Sequence, residues 1–475
     1  MLKLLKRGSR ATAAVAAAQG TMQLSSFVRY AVIARLLSPA EFGIAALVAG
    51  AAQLGEIISS AGADTILIQA PDGDDERLQR SIHLQRAIRG ALNGLLLYLV
   101  AGPLAAILGL SQCVDEIRLL AAFPFIRGFY HTDCSRLQRH MRFNPWIITE
   151  VGTNVITSGV SIVLAVFLKD HRAVVAGVLL QALIAVTLSH AISERPYRWS
   201  YDRTVLRRYY KFSWPLVANS ILLFAITQGD RLVIGSARTL LGNSSLTLQQ
   251  IGVYSSVATI TMAPSFAIAN VILSLGLPYL SQVQTDEDGF GWRFQHLLQW
   301  GLVIALCYFA PLVLYGPSLI TAVVGEQYVP SSLLVTAMAA AWAFRIIRAV
   351  PTVAALAQAD THNGLQSNLV RAAGLGCISA AVGQNGTLGT VAVIGAIAEI
   401  SATIISFFQL SKLRHRVVRK ALPVLLVGAV VASLLVLIQS APVSPLLRTA
   451  AFLLLAVTVF RTCRSVRLDL NVAIK

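Results

Sequence analysis

Ionisable and amide side chains recur at helical spacing inside stretches that are otherwise apolar, and chemistry would reside there. Gln53, Glu56, Ser60 and Asp64 fall at i, i+3, i+7 and i+11, the spacing that places residues on one face of a helix. Glu150, Asn154, Thr157 and Ser161 do the same, as do Arg127, His131 and Gln138. Gln19, Gln23 and Ser26 form a stripe running towards Arg29 and Tyr30. Asn219, Thr227 and Asp230 align, with Arg231 beside Asp230, and Glu399 aligns with Thr403 and Ser406. A charge at mid-bilayer costs roughly 2.5–3.5 kcal/mol on insertion scales, so such residues face a bundle interior or a wet cavity. Arginines there suit phosphate, because a planar guanidinium makes bidentate, charge-assisted bonds. Hydroxyl and amide groups suit sugars.

Each stripe also has a structural reading. Ser, Thr and Asn side chains glue helices together by hydrogen bonds. Arg29 could pair with Asp64, and Asp230 with Arg231. His131 could be a satisfied buried histidine. Because so many stripes coincide, we read a polar interior. The expected substrate-binding residues are Arg29, Gln23, Arg127, His131, Glu150 and Asn154. Glu56, Asp64, Asp230, Arg231 and Glu399 are expected in ion coupling or gating pairs. No catalytic residue, cofactor or metal is expected. Cys113, Cys134, Cys307, Cys377 and Cys463 lack the spacing of a disulfide framework or a zinc site. The run Asp72-Gly-Asp-Asp-Glu76 reads as a solvated turn without metal-ligand spacing. No P-loop is present for ATP coupling.

The elements that must position these residues are membrane helices. Of 475 residues, 56% are hydrophobic and only 13% charged, about half the charged share of a soluble protein. The apolar runs are roughly 20 residues long, enough to cross the hydrocarbon core. Fourteen helices are expected, centred near residues 24, 55, 98, 126, 157, 182, 224, 263, 304, 338, 374, 399, 430 and 454. With both termini inside, 29 of the 39 Lys and Arg fall in inside segments, among them Arg86, Arg89, Arg345 and Arg348, and six fall in outside turns. The net charge of +17 is therefore the positive-inside bias and not a nucleic-acid footprint. The start of the chain is read as an uncleaved first helix. Residues 194–211, rich in Arg, Tyr and Trp, are expected to form an amphipathic helix on the cytoplasmic surface, against anionic lipid.

This organises the chain as an N-lobe over 1–193 (helices 1–6), the linker 194–211, a C-lobe over 212–411 (helices 7–12), and two further helices with a cytoplasmic tail over 412–475. A short repeat supports two six-helix halves. Phe42-Gly43-Ile44 and Ile251-Gly252-Val253 each open an even-numbered helix after an outside turn. Parallel repeats around a central site are a common transporter plan.

Several motifs carry a resemblance: Arg35-Leu-Leu-Ser-Pro-Ala-Glu-Phe-Gly43, Gly62-Ala-Asp-Thr-Ile-Leu-Ile-Gln69, Phe212-Ser-Trp-Pro-Leu216, Gln228-Gly-Asp-Arg-Leu-Val-Ile-Gly235, Ile251-Gly-Val-Tyr254 and Leu277-Pro-Tyr-Leu-Ser281. In order and spacing they resemble the Wzx-type O-antigen and exopolysaccharide flippases of the multidrug/oligosaccharidyl-lipid/polysaccharide exporter superfamily, over roughly residues 10–285. The resemblance implies two six-helix lobes around a cavity that opens alternately to each side. It implies an undecaprenyl-diphosphate-linked oligosaccharide as cargo, delivered outside for polymerisation. It also implies a bacterial inner-membrane location, with polysaccharide polymerase and export machinery as partners.

Two other readings stand beside it. A multidrug or small-cation antiporter of the same fold would favour a carboxylate on the first helix, where this chain has Arg29. A polysaccharide polymerase or ligase would place its chemistry on a large outer loop, whereas the longest outer turn, near 238–248, offers no base or nucleophile. A peptidoglycan-precursor flippase is closer kin and also has fourteen helices, but it would carry several cavity arginines in the first two helices, and the second helix here has none.

Overall fold

A computed structural model describes residues 2–60 and 62–440. The side chains of residues 2–13, 16, 54–60, 420 and 440 lie outside the described set, as do residues 441–475 and hence the helix expected near 454. The chain divides into two compact units, residues 1–252 and 253–475.

Unit 1 contains α1 (Leu2–Leu36), α2 (Pro39–Ser60), the short α3 (Ala63–Gln69), α4 (Glu76–Ile107), three short helices α5 (Val114–Leu120), α6 (Ala122–Gly128) and α7 (Asp133–Arg139), then α8 (Asn144–Leu168), α9 (Arg172–Ile192), α10 (Arg203–Gly235) and the single turn α11 (Ala237–Leu240). Helix α12 (Leu248–Ser281) begins in unit 1 and continues into unit 2. Unit 2 holds α13 (Glu287–Val324), α14 (Ser332–Ala357), α15 (His362–Gly383), α16 (Leu388–Leu413) and α17 (His415–Ser440).

Among the described residues, nine helices are long and apolar enough to cross a membrane: α4, α8, α9, α10, α12, α13, α14, α16 and α17. Helices α1, α2 and α15 have 35, 22 and 22 residues; Asn363, Gln366, Asn368 and Arg371 make α15 more polar. Leu92, Leu95, Leu96 and Leu99 on α4 and Val163, Val166 and Phe167 on α8 are exposed. An apolar surface of that extent needs lipid around it. The chain is thus a multi-pass membrane protein. In unit 1, α8 packs between α1 and α9, and α4 packs on α5, α6 and α2, with α10 against α2 and α4. In unit 2, α14 lies between α13 and α16, α15 packs on α16, and α17 on α13.

Three expectations are corrected. The helix expected near 126 is not continuous: the chain leaves helical geometry from Phe129 to Thr132. The backbone donors freed there find side-chain partners. His131 N–H donates to Ser189 Oγ at 3.0 Å, Thr132 N–H to His83 Nε2 at 3.3 Å, and Asp133 N–H to His131 Nδ1 at 3.2 Å. A break within an apolar environment is tolerated only with such replacements. The second expected face is also interrupted. Helix α2 ends at Ser60, and Gly62 takes a left-handed turn at φ 83°, so Asp64 belongs to α3 and not to the face of Gln53. A Cβ at Gly62 would sit 2.8 Å from Ser213 Cβ. Finally, 194–211 is not a surface helix: 194–202 is non-helical, and Arg203 opens α10, capped by Asp202, which accepts from Thr204 N–H at 3.0 Å and Val205 N–H at 3.2 Å.

The repeat glycines meet. A Cβ on Gly43 would strike the Leu248 carbonyl and the Gly252 nitrogen, and one on Gly252 would strike the Pro39 carbonyl. The starts of α2 and α12 touch backbone to backbone, an approach only glycine permits.

Candidate functional site

The polar interior of unit 1 is organised by two arginines on α4, one turn apart. Arg86 is 3% exposed; its guanidinium is 3.4 Å from both Asp64 carboxylate oxygens and 5.0 Å from the Tyr130 ring centroid. Asp64 also accepts from Ser135 Oγ at 2.7 Å. Tyr130 receives a second cation, Arg127, at 5.2 Å, and its hydroxyl donates to Glu150 Oε1 at 3.3 Å. The break after α6 thus puts one buried tyrosine between Arg86, Arg127 and Glu150.

Arg89 turns the other way. It donates to Tyr209 Oη and Ser213 Oγ, both at 3.1 Å, and lies 5.1 and 5.3 Å from the Tyr209 and Tyr210 rings. It lines a cavity of about 290 Å³ with Leu92, Asn93, Tyr210, Trp214 and Val217. A guanidinium, an amide and an exposed indole on one wall suit an anion attached to a sugar.

Unit 2 builds its cluster differently. Glu399 of α16 is fully buried, with Arg348 Nε 2.7 Å from Oε1 and Arg371 Nη1 2.7 Å from Oε2. Arg348 also donates to Asn368 Oδ1 at 3.2 Å. Arg345 lies over the Phe266 ring at 4.4 Å and within 5.9 Å of the Trp342 ring, and its Nε and Nη1 have no hydrogen-bond partner among the described residues. Beside this cluster, Leu306, Phe309, Phe344, Phe407, Leu422 and Leu426 help line an apolar cavity of about 580 Å³.

The expected site residues therefore divide. Arg127 and Glu150 meet at Tyr130. Asn154 lies near the same end of α8 but donates to Ser26 Oγ of α1 at 2.9 Å, a helix-to-helix bond. Gln23 is exposed on α1 and Arg29 half-buried. Asp64 pairs with Arg86, and among the described residues no carboxylate lies within ion-pair distance of Arg29. The expected Arg29–Asp64 pairing is thereby replaced. His131 does not share a face with Arg127. It is fully buried, its Nε2 is 2.9 Å from the Arg195 carbonyl, and it packs with His83, His190 and Tyr197. Asp230 accepts from the Arg231 backbone N–H at 2.8 Å, while Arg231 Nη1 donates to Gln228 Oε1 at 2.5 Å. Gln228 in turn donates to Gln53 at 2.8 Å, joining α10 to α2. The side chain of Glu56 lies outside the described residues.

Sequence reading missed Arg86, Arg89, Arg345 and Arg348, which it counted as inside-segment charges. They sit within α4 and α14. Without them the charge asymmetry is still 25 to six. The signal was present: each pair is spaced i, i+3, and Arg345 and Arg348 have long apolar stretches on both sides.

On the face read as cytoplasmic, the run at 72–76 is ion-paired and not merely solvated. Asp74 contacts Arg136, His140 and Arg195 at 3.2, 3.2 and 3.4 Å, and Asp72 contacts Arg208 at 2.7 Å. Asp75 caps α4 through the Arg77 N–H at 2.9 Å. Glu194 binds Arg142 at 2.6 Å and Arg136 at 3.3 Å. The Arg208 hydrogen bond lowers the Asp72 pKa, and the Arg142 hydrogen bond that of Glu194. Partial desolvation opposes ionisation of Asp74, but hydrogen bonds from His140 and Arg136 outweigh it and leave its pKa lowered. Hydrogen bonds from Thr204 and the Val205 backbone hold Asp202 down to about 2.

The sequence profile of a family described as "Polysaccharide biosynthesis protein" matches residues 32–333. The succinoglycan biosynthesis transport protein ExoT of Rhizobium meliloti (strain 1021) is 23% identical over 269 residues, 57% of this chain and 52% of that protein. The match spans about half the length of this curated relative. Among solved structures, the lipid II flippase MurJ in an inward closed conformation superposes with a TM-score of 0.68 at 11% identity, covering 94% of this chain and 97% of that one. An inward-facing multidrug resistance MATE family transporter of the MOP superfamily gives 0.62 at 16% identity, covering 84% and 96%. These two structures share the fold.

Proposed function

The chain belongs to the polysaccharide biosynthesis protein family, and from that premise we propose that it is a flippase for undecaprenyl-diphosphate-linked oligosaccharide in a bacterial inner membrane. It would move repeat units from the cytoplasmic to the periplasmic face by alternating access, for O-antigen or exopolysaccharide synthesis. The observation that carries this reading is the set of arginines inside the polar interior of unit 1. Arg86 and Arg127 flank Tyr130, and Arg89 opens onto a cavity with Asn93 and Trp214. Guanidinium groups bind diphosphate in a fork geometry, and desolvation in the membrane strengthens the contact. In this reading Arg29, Arg89 and Arg127 hold the diphosphate. Gln23, Asn93, Glu150, Asn154 and Trp214 meet sugars. The apolar cavity of unit 2 suits a polyprenyl tail by composition. Asp64, Asp230, Arg231 and Glu399 remain the candidates for gating, and Glu56 for ion coupling.

The test is made in cells lacking the protein, by quantifying polyprenyl-diphosphate-linked oligosaccharide and the membrane face it occupies. The flippase reading expects complete units to accumulate on the cytoplasmic face, with loss of surface polysaccharide. Intact polysaccharide with no accumulation would point instead to a small-cation antiporter of this fold. Complete units stranded outside would point to a polymerase or ligase.

A further inference from the structure

Among the described residues, one group of side chains is close enough to hold a metal ion: Cys113, Glu116 and His171, whose donor atoms all lie within 4.8 Å of one another. Cys113 Sγ is 3.8 Å from His171 Nε2, and that nitrogen is 3.7 Å from Glu116 Oε1. Tetrahedral zinc, with bonds of about 2.0–2.3 Å, places its donors about 3.4–3.6 Å apart, so the two His171 distances need contract by only a few tenths of an ångström and the Cys113–Glu116 separation by at most about 1.2 Å.

The orientation of the imidazole is set from behind. Glu41 Oε2 is 2.7 Å from His171 Nδ1 and accepts the His171 backbone N–H at 3.0 Å. That carboxylate accepts a hydrogen bond from a proton on Nδ1, which leaves Nε2 facing Cys113 and Glu116. This is the carboxylate–histidine arrangement that orients metal ligands and raises their basicity. A second observation points to a cation: Glu116 Oε2 is buried with no hydrogen-bond partner among the described residues. Cys113 is 1% exposed. The opposing charge is Arg172, whose Nε is 3.3 Å from Glu116 Oε1; its side chain is 66% exposed, so it can turn into solvent.

We propose that Cys113, Glu116 and His171 form a zinc site, with Glu41 as its outer-shell carboxylate and solvent in the fourth position. Thiolate, imidazole and carboxylate together favour zinc over the oxygen-seeking magnesium and calcium. The three ligands come from the turn after α4, from α5 and from the residue before α9, and Glu41 opens α2. The charge bias assigns all of these turns to the outer face, so the ion ties the outer ends of unit 1 together. The site stands independently of the flippase reading.

The experiment uses the full chain, purified in detergent and stripped by a chelator. Zinc is titrated against a chromophoric competitor, and cobalt(II) is added separately as a spectroscopic probe. The wild type is expected to bind zinc tightly, and its cobalt form to show thiolate-to-metal charge transfer in the near ultraviolet. C113S, close in shape to cysteine, should abolish that band and weaken zinc by about a hundredfold or more, while E41Q weakens it by about tenfold. C113A serves if C113S fails to fold. A wild-type cobalt form without the thiolate band overturns the proposal whatever the variants do. So does equal zinc affinity in wild type and both Cys113 variants.

Discussion

The two units each carry a pair of arginines spaced i, i+3 on a membrane helix, and they use them in opposite ways. Arg86 and Arg89 of α4 meet tyrosines, hydroxyls and the half-exposed carboxylate of Asp64, and Arg89 borders a cavity. Arg348 of α14 is locked, together with Arg371, onto the fully buried Glu399, and Arg345 lies against aromatic rings. The same spacing yields a polar surface open to a ligand in one unit and a nearly closed ion cluster in the other. Burial decides the difference. The fully buried carboxylate of Glu399 fixes two guanidiniums in place away from solvent, whereas Arg89 is held by neutral hydroxyls and rings at the wall of a cavity, where an anion can reach it.

The comparison is tested most severely at Glu399. Replacing it with Gln leaves Arg348 and Arg371 buried without their counter-charge, a loss of about 3–5 kcal/mol. Thermal unfolding in detergent should show it, and the triple replacement of Arg348, Arg371 and Glu399 by Met, Met and Leu should recover much of it. Unchanged stability in E399Q would remove the lock from unit 2. Next comes Gly252→Ala, which forces the starts of α2 and α12 apart and is expected to cost about 1–3 kcal/mol. If unit 1 is held by close backbone contact here, that loss appears without any change in charge.

Smaller effects sharpen the unit 1 side. Arg89→Ala should lower transport of lipid-linked oligosaccharide by about tenfold while costing about 1 kcal/mol of stability. Arg89→Lys should not restore transport, because an ammonium lacks the planar fork. Arg29→Ala should also impair transport at normal protein levels, and normal transport would remove Arg29 from the site. The smallest effect is the pH response of the loop network. Asp72, Asp74, Glu194 and Asp202 all have lowered pKa values in the folded state. Depressed carboxylates contribute stability above the unfolded value of about 4 and lose it as pH falls through the folded value. Unfolding should therefore ease further below about pH 4, and D72N should lose part of that acid step, checked by thermal scans of both proteins between about pH 3 and 6.

Much of the fold was legible residue by residue. The apolar runs predicted helices over twelve of the expected centres, and the stripe Glu399–Thr403–Ser406 is buried as its spacing required. The site was legible only in part. Arg127 and Glu150 were found from their faces, but the tyrosine that joins them was not, because Tyr130 lies in a break that helical periodicity cannot register. Arg86, Arg89, Arg345 and Arg348 were hidden by a charge count that treats any arginine near a helix end as a loop residue.

What the sequence by itself determined is the all-helical membrane architecture. It follows from a local quantity, runs of apolar residues long enough for the bilayer. Only the tertiary structure decided where helices break and which charges meet. The interruption after α6 depends on His83 and Ser189 supplying partners from 49 and 58 residues away along the chain. Glu41, Cys113, Glu116 and His171 likewise converge from separate turns, which no spacing in the sequence records. Such pairings depend on distances in space, because a backbone or carboxylate buried in apolar surroundings must find its partner wherever the fold brings one.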